Sequence, residues 1–177
     1  MAASVECYTR DARIVGTVGV DGRLIDLLGM STAIVLENCV TMPLGTTARH
    51  LEPRQSIEVD DLLLVVARGT VTPAHAAWHS LSVLVGPYVI RGELPSLPGF
   101  DPNRALARPG GSFILLGNVC IEAHAAQLGL EREEHAFAWV NRYAVEAIES
   151  DLELGFFFPG AMKTAATGWF PDTRVEA

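Results

Sequence analysis

A chain of 177 residues that is 49% hydrophobic and 19% charged has apolar material for one domain or for two small cores. Its net charge of −8 includes no basic block, which argues against nucleic acid as a default partner. No apolar run reaches the roughly 18 residues of a membrane span. The first ten residues show no basic-then-apolar leader, so a cytoplasmic protein is expected.

Residues 4–9 and 13–18 read as two strands around a turn at Arg10-Asp11, with Val5, Cys7, Ile14 and Val18 as inward positions. Gly16 interrupts the second strand, the mark of a bend or a close backbone approach. A short helix follows, with Asp21 as its expected cap, Leu24, Leu27 and Leu28 on one side, and Gly29 at its end. Arg23 and Asp26, three residues apart, are placed to pair on the exposed side. Residues 32–41, TAIVLENCVT, form a third strand, and SIEV-DD-LLLVVA at 56–67 reads as a strand hairpin around Asp60-Asp61. The connector 70–79 has Thr72 and Pro73 set as cap and first position of a helix.

The second half then echoes the first. Residues 4–18 align on 80–94, with Gly16 on Gly92, at an offset of 76. Residues 32–41 align on 112–121, with Asn38 on Asn118, at an offset of 80; Val59-Asp60-Asp61-Leu62 align on Val140-Asn141-Arg142-Tyr143 at 81. The offset grows where loops absorb insertions, as expected of a duplication. Asp101, Pro102 and the terminator Pro109-Gly110-Gly111 mark the counterpart of the first helix. The second hairpin, FAWV-NR-YAVEAI, has a rival reading. Residues 131–148 also fit an amphipathic helix with Phe137, Val140, Ala144 and Ala147 in line; the repeat favours strands. The division is therefore a first repeat at 1–69, a connector helix at 70–79, a second repeat at 80–150 and a tail at 151–177. In the tail, Phe156, Phe157, Phe158, Trp169 and Phe170 are too apolar for a free segment, and are expected to pack on the repeats or on a neighbouring subunit.

Each repeat reads β-β-(short helix)-β-β-β with a glycine-bent second strand. This order resembles the Sm-like small barrel, a five-stranded relative of the SH3 barrel. Gly16 and Gly92 match that family's second-strand glycine, and residues 140–148 are similar to its I-R-G-x-x-V-x-x-I pattern. The segment Arg23-Leu24-Ile25-Asp26-Leu27-Leu28 also resembles the R-L-x-D-x-L stretch of a group of small bacterial β-domains. The resemblance covers roughly residues 4–68 and 80–150, and it implies an all-β fold of two tandem Sm/SH3-like barrels. It further implies an oligomeric assembly or protein-binding module, since small barrels expose edge strands that pair between subunits. RNA binding is the alternative the family implies, with Asn141 and Arg142 as the contacting loop. The family's Asp and Asn before the third strand are not found at that spacing, and Asp60-Asp61 would repel phosphate.

Little chemistry competes with that reading. His75 and His79, at i and i+4 on the expected helix, have a spacing that can hold a metal and support a metal-dependent enzyme. They have no HExxH glutamate and no evident third ligand. Cys7, Cys39 and Cys120 are odd in number, belong to no CxxC pair and fall inside expected strands, where a thiol is inert. Glu131, Glu133 and Glu134 read as a solvated acidic cluster. A non-enzyme without cofactor is expected, with a second copy as its first partner.

Overall fold

The computed structural model describes residues 2–68, 76–104 and 110–164, and among these the chain is mostly strand with a single α-helix. The first half contains β1 (Ala2–Tyr8), β2 (Ala12–Gly19), α1 (Leu24–Met30), β3 (Ala33–Pro43) and β4 (His50–Glu58), then a 3-10 turn at Val59–Asp61 and β5 (Leu64–Ala67). The second contains β6 (Ala77–Val85), β7 (Tyr88–Ser96), β8 (Phe113–Ala123), β9 (Glu133–Asn141) and β10 (Val145–Glu149), followed by the two-residue β11 (Met162–Lys163).

Among the described residues the eleven strands form one sheet, in the order β11-β10-β6-β7-β8-β9-β5-β1-β2-β3-β4. The block β5-β1-β2-β3-β4 and the block β10-β6-β7-β8-β9 have the same internal order. They are joined where β9 pairs with β5. The all-β class expected from sequence is therefore present, but two separately closed five-stranded barrels are not: the sheet is continuous and open. The reason lies in the edges. β5 bonds β1 on one side and β9 on the other, and β10 bonds β6 and β11, so neither has an edge left for the fourth strand of its own repeat.

Register carries the duplication at residue level. Val5 faces Gly16 and Leu81 faces Gly92, the same offset of 76 on both strands. Both glycines sit at a break in the ladder to the next strand, between Val15 and Thr17 and between Arg91 and Glu93. A Cβ on Gly16 would stand 3.1 Å from the Glu37 carbonyl oxygen, and one on Gly92 3.1 Å from that of Gly117. Asn38 and Asn118 adopt positive φ, 53° and 47°, one residue beyond those carbonyls. Asparagine tolerates this left-handed conformation better than most residues because its short side chain bonds locally. Glycine and asparagine thus build the same bulge twice.

Three expectations are corrected. Ala33 pairs with Glu58 and Phe113 with Asn141, so Asn141 and Arg142 correspond to Glu58 and Val59, two residues away from the expected Asp60-Asp61. Residues 77–79 belong to β6, facing Ser96 to Leu94, rather than to a connector helix; residues 69–75 lie outside the described segments. α1 starts after Arg23, with no side-chain cap, and extends to Met30. The expected pair does form, through Arg23 Nε to Asp26 Oδ2 at 2.9 Å and Nη2 to Oδ1 at 2.8 Å. Residues 133–141 and 145–149 are strands joined by a turn, and the burial of β9 alternates along its length as a half-buried strand requires.

The buried apolar side chains fall into two main clusters. One is built chiefly from the second repeat, with Tyr8, Leu63, Leu64 and Val66 added from the first. The other is built from the first repeat, with Phe113 added from the second. Leu64 and Val66 enter one cluster while Val65 enters the other, as alternation along a strand dictates. β5 is therefore buried on both faces, which explains the continuous apolar run from Leu62 to Val66.

Candidate functional site

The features that could interact with a partner are the seam between the repeats and the two ends of the sheet. At the seam, Leu64 faces Val140 and Val65 faces Trp139. Asn141 closes it: its N–H donates to the Leu63 carbonyl at 2.9 Å, its Nδ2 donates to the Leu62 carbonyl at 3.0 Å, and its Oδ1 accepts from the Tyr143 N–H at 3.1 Å. Asn141, an expected binding residue, is thus 6% exposed and committed to the chain's own backbone.

Above the ladder, polar side chains from both repeats converge. The Tyr8 hydroxyl donates to Glu133 at 2.8 Å, Tyr88 donates to the Thr9 carbonyl at 2.8 Å, and the two rings meet edge to face at 5.5 Å. Arg13 bonds Glu6 on its own hairpin, at 2.5 Å, and Glu133 on β9. His135 Nε2 lies 3.5 Å from Glu133 Oε2 and 3.4 Å from the Tyr8 hydroxyl. Burial pushes the Tyr8 hydroxyl pKa upward, and its hydrogen bond to Glu133 adds to the effect. Burial also pushes Glu133 up, but hydrogen bonds from His135 and Tyr8 and the Arg13 charge outweigh it and hold the carboxyl below its ordinary range. The donor atoms of Glu6, Glu133 and His135 lie within 4.8 Å of one another, a spacing a cation could bridge. The guanidinium of Arg13 already stands between the two carboxylates, so the cluster serves as an ion-paired clamp across the repeats.

Beside the seam, a groove of about 740 Å³ runs between β4 and the Asn141 turn. Asp11, Glu58, Asp60 and Asp61 outnumber Arg10 in its lining, which disfavours anionic ligands.

The sheet ends differ. β4 is the last strand on one side, and its residues are mostly exposed. Glu52, Pro53 and Arg54 guard its first half, the usual means of discouraging edge pairing. Gln55, Ser56 and Ile57 carry no charge, and they stand where Ala138, Trp139 and Val140 stand on β9. On the other side, β11 runs parallel to β10, with Met162 beside Ala147 and Lys163 beside Ile148.

Arg142, the second expected binding residue, has no exposed surface. Its guanidinium donates to the Phe156 carbonyl and stacks 5.3 Å from the Tyr143 ring centre, holding the tail against the turn. Of the expected interface aromatics, Phe157 and Phe158 are buried in the chain's own core, with Leu154, and Phe156 is half-exposed. Trp169 and Phe170 lie outside the described residues, as does His75. His79, on β6, sits 3.0 Å from Ser96 Oγ. Cys7, Cys39 and Cys120 are buried free thiols. Burial pushes all three upward, Cys7 to about 12 with help from neighbouring Cys39, so the nucleophilic thiolate is suppressed.

Sequence reading misses the Tyr8, Arg13, Glu133 and His135 clamp, because Arg13 and Glu133 are 120 residues apart and no local pattern links them. No known protein family, curated protein or solved structure matches the chain.

Proposed function

We propose that this protein is a non-enzymatic assembly module, made of two diverged Sm-like five-stranded units in one open sheet, whose copies associate head to tail through sheet edges. The observation that supports this most is the seam. Within one chain, the fourth strand of the second repeat pairs with the fifth strand of the first, β9 with β5. The repeat blocks end in β4, a fourth strand, and β10, a fifth strand, so a second copy brings to each end the strand type that the seam already joins. Such a heterologous contact closes into a ring or extends into a filament, depending on its rotation.

By the seam's register, Ile57 of one copy would face Ala147 of the next, and Ser56 would face Ile148. Asn141 donates its N–H across the seam, so Glu58 and Ser56, its counterpart and the residue two before it, turn theirs away from β3. Three buried thiols fit the reducing interior of a cell, where we place the protein. RNA contact at the Asn141-Arg142 turn gains no support from a guanidinium without exposed surface.

Light scattering across the micromolar range tests the proposal. Mass should rise with concentration in the wild-type chain, and Ser56→Pro, which removes an outward N–H from β4, should abolish the rise. A wild-type chain that stays monomeric throughout contradicts it.

A further inference from the structure

We infer that the tail strand β11 is a displaceable cap on the β10 edge, competing with β4 of a second copy for the same two residues. This rests on the assembly reading above and adds what regulates it.

Tyr8 pairs with Leu64 and Cys7 with Val65 in the first repeat; Leu84 pairs with Ala147 and Val83 with Ile148 in the second. Tyr8 and Leu84, like Cys7 and Val83, are separated by the repeat offset of 76, so Ala147 and Ile148 are the counterparts of Leu64 and Val65. Those two residues of β5 take Val140 and Trp139 at the seam. The same two positions on β10 are taken by Met162 and Lys163. The cap and an incoming β4 therefore cannot be bound together.

Among the described residues the cap's own attachments are few. They are one two-residue parallel ladder, bonds from the Thr164 N–H and hydroxyl to the Ile148 carbonyl at 2.9 and 3.3 Å, and an ion pair from Lys163 to Glu153. Met162 is 57% exposed and Lys163 is also exposed, so little apolar surface is buried to hold them. The anchor lies upstream, where Leu154, Phe157 and Phe158 enter the core and Arg142 grips the Phe156 carbonyl. Between anchor and cap stands Gly160 at φ 87°, a conformation that glycine adopts without strain. Ala161, just past it, packs on the core and donates its N–H to the Phe158 carbonyl at 3.3 Å, so residues 162–164 are the part that can swing away while the anchor stays in place. An edge strand is a pairing hazard that proteins commonly cover, and a cover held by so few contacts is one that a better-matched strand replaces.

Opening the cap raises the fraction of chains able to associate, and the apparent dissociation constant falls in proportion. Thr164→Pro in the full-length chain removes the N–H donated to Ile148 and leaves the anchor intact. Half-association, followed by light scattering, should shift to a concentration about tenfold lower or more. Adding Ser56→Pro should cancel that gain. Hydrogen exchange on the wild-type chain gives a second readout: protection of the Thr164 amide should fall as association rises. If Thr164→Pro associates as the wild type does while Ser56→Pro still blocks association, the cap is overturned and the assembly reading stands. If Thr164 protection is unchanged between monomer and oligomer, the cap is likewise overturned. If neither the wild type nor Thr164→Pro associates at any concentration, the assembly reading fails and takes the cap with it.

Discussion

β5 and β10 occupy the same place in their repeats yet live in different surroundings. β5 lies inside the sheet between β1 and β9, and its Leu64, Val65 and Val66 are buried on both faces. β10 lies near the edge, and its sequence VEAIE carries Glu146 and Glu149 where a fully covered strand could not afford charge. The difference shows how the same strand position suits a full partner strand in one repeat and a light cover in the other. The partner at β5 is part of the fold; the cover at β10 is two residues long.

Substitutions can break this comparison at several points. The largest effect is expected from Leu64→Ala, which opens a void in the second core beside the seam and should cost about 3 kcal/mol in urea denaturation. Arg142→Ala should come next, at about 2 kcal/mol, because it empties a fully buried position and removes the donor to the Phe156 carbonyl. Limited proteolysis should then cut faster beyond residue 150 while the first repeat keeps its resistance. Asn141→Ala removes one side-chain bond across the seam, to the Leu62 carbonyl, and one within the turn, from the Tyr143 N–H, and should cost about 1 to 2 kcal/mol, whereas Glu58→Ala, its counterpart at the sheet end, should be within about 0.5 kcal/mol of neutral.

The clamp across the repeats supplies a smaller, pH-dependent effect. Glu133 is held below its ordinary value of 4.5, so the unfolded chain binds this proton more readily than the folded one. Its contribution is fully present above pH 4.5 and is lost as pH falls through the lowered folded value. Being partly exposed, the ion pair should be worth about 1 kcal/mol. Urea midpoints of the wild type and Glu133→Gln should differ at neutral pH and converge in acid.

Much of the architecture could be read from the residues. Gly16 with Gly92 and Asn38 with Asn118 marked the repeat because a bulge needs those residue types whatever surrounds it. The apolar run at Leu62 to Val66 also reported true burial, although only the sheet order shows what covers its second face. The closed barrels could not be distinguished from the open sheet, since a strand's sequence does not name its neighbour. The turn after the fourth strand slipped by two because short polar turns have no periodicity to align. Arg142 looked like a surface contact because charge usually marks solvent; here it replaces the buried Val59 of the first repeat and reaches the tail carbonyl. The free edge at Gln55 to Ile57 could be recognised only once β9 showed what its counterpart does.

The central claim is that β4 of one copy takes β10 of another in the register of the seam. Mixing a Ser56→Cys chain with an Ile148→Cys chain under mild oxidation tests it directly, because residues facing each other across an antiparallel ladder lie within disulfide reach. The account predicts a crosslinked dimer in the mixture and none from either chain alone, with no crosslink when Ala147→Cys replaces Ile148→Cys. Crosslinking that ignores this register, or none at concentrations where the mass has risen, would contradict it.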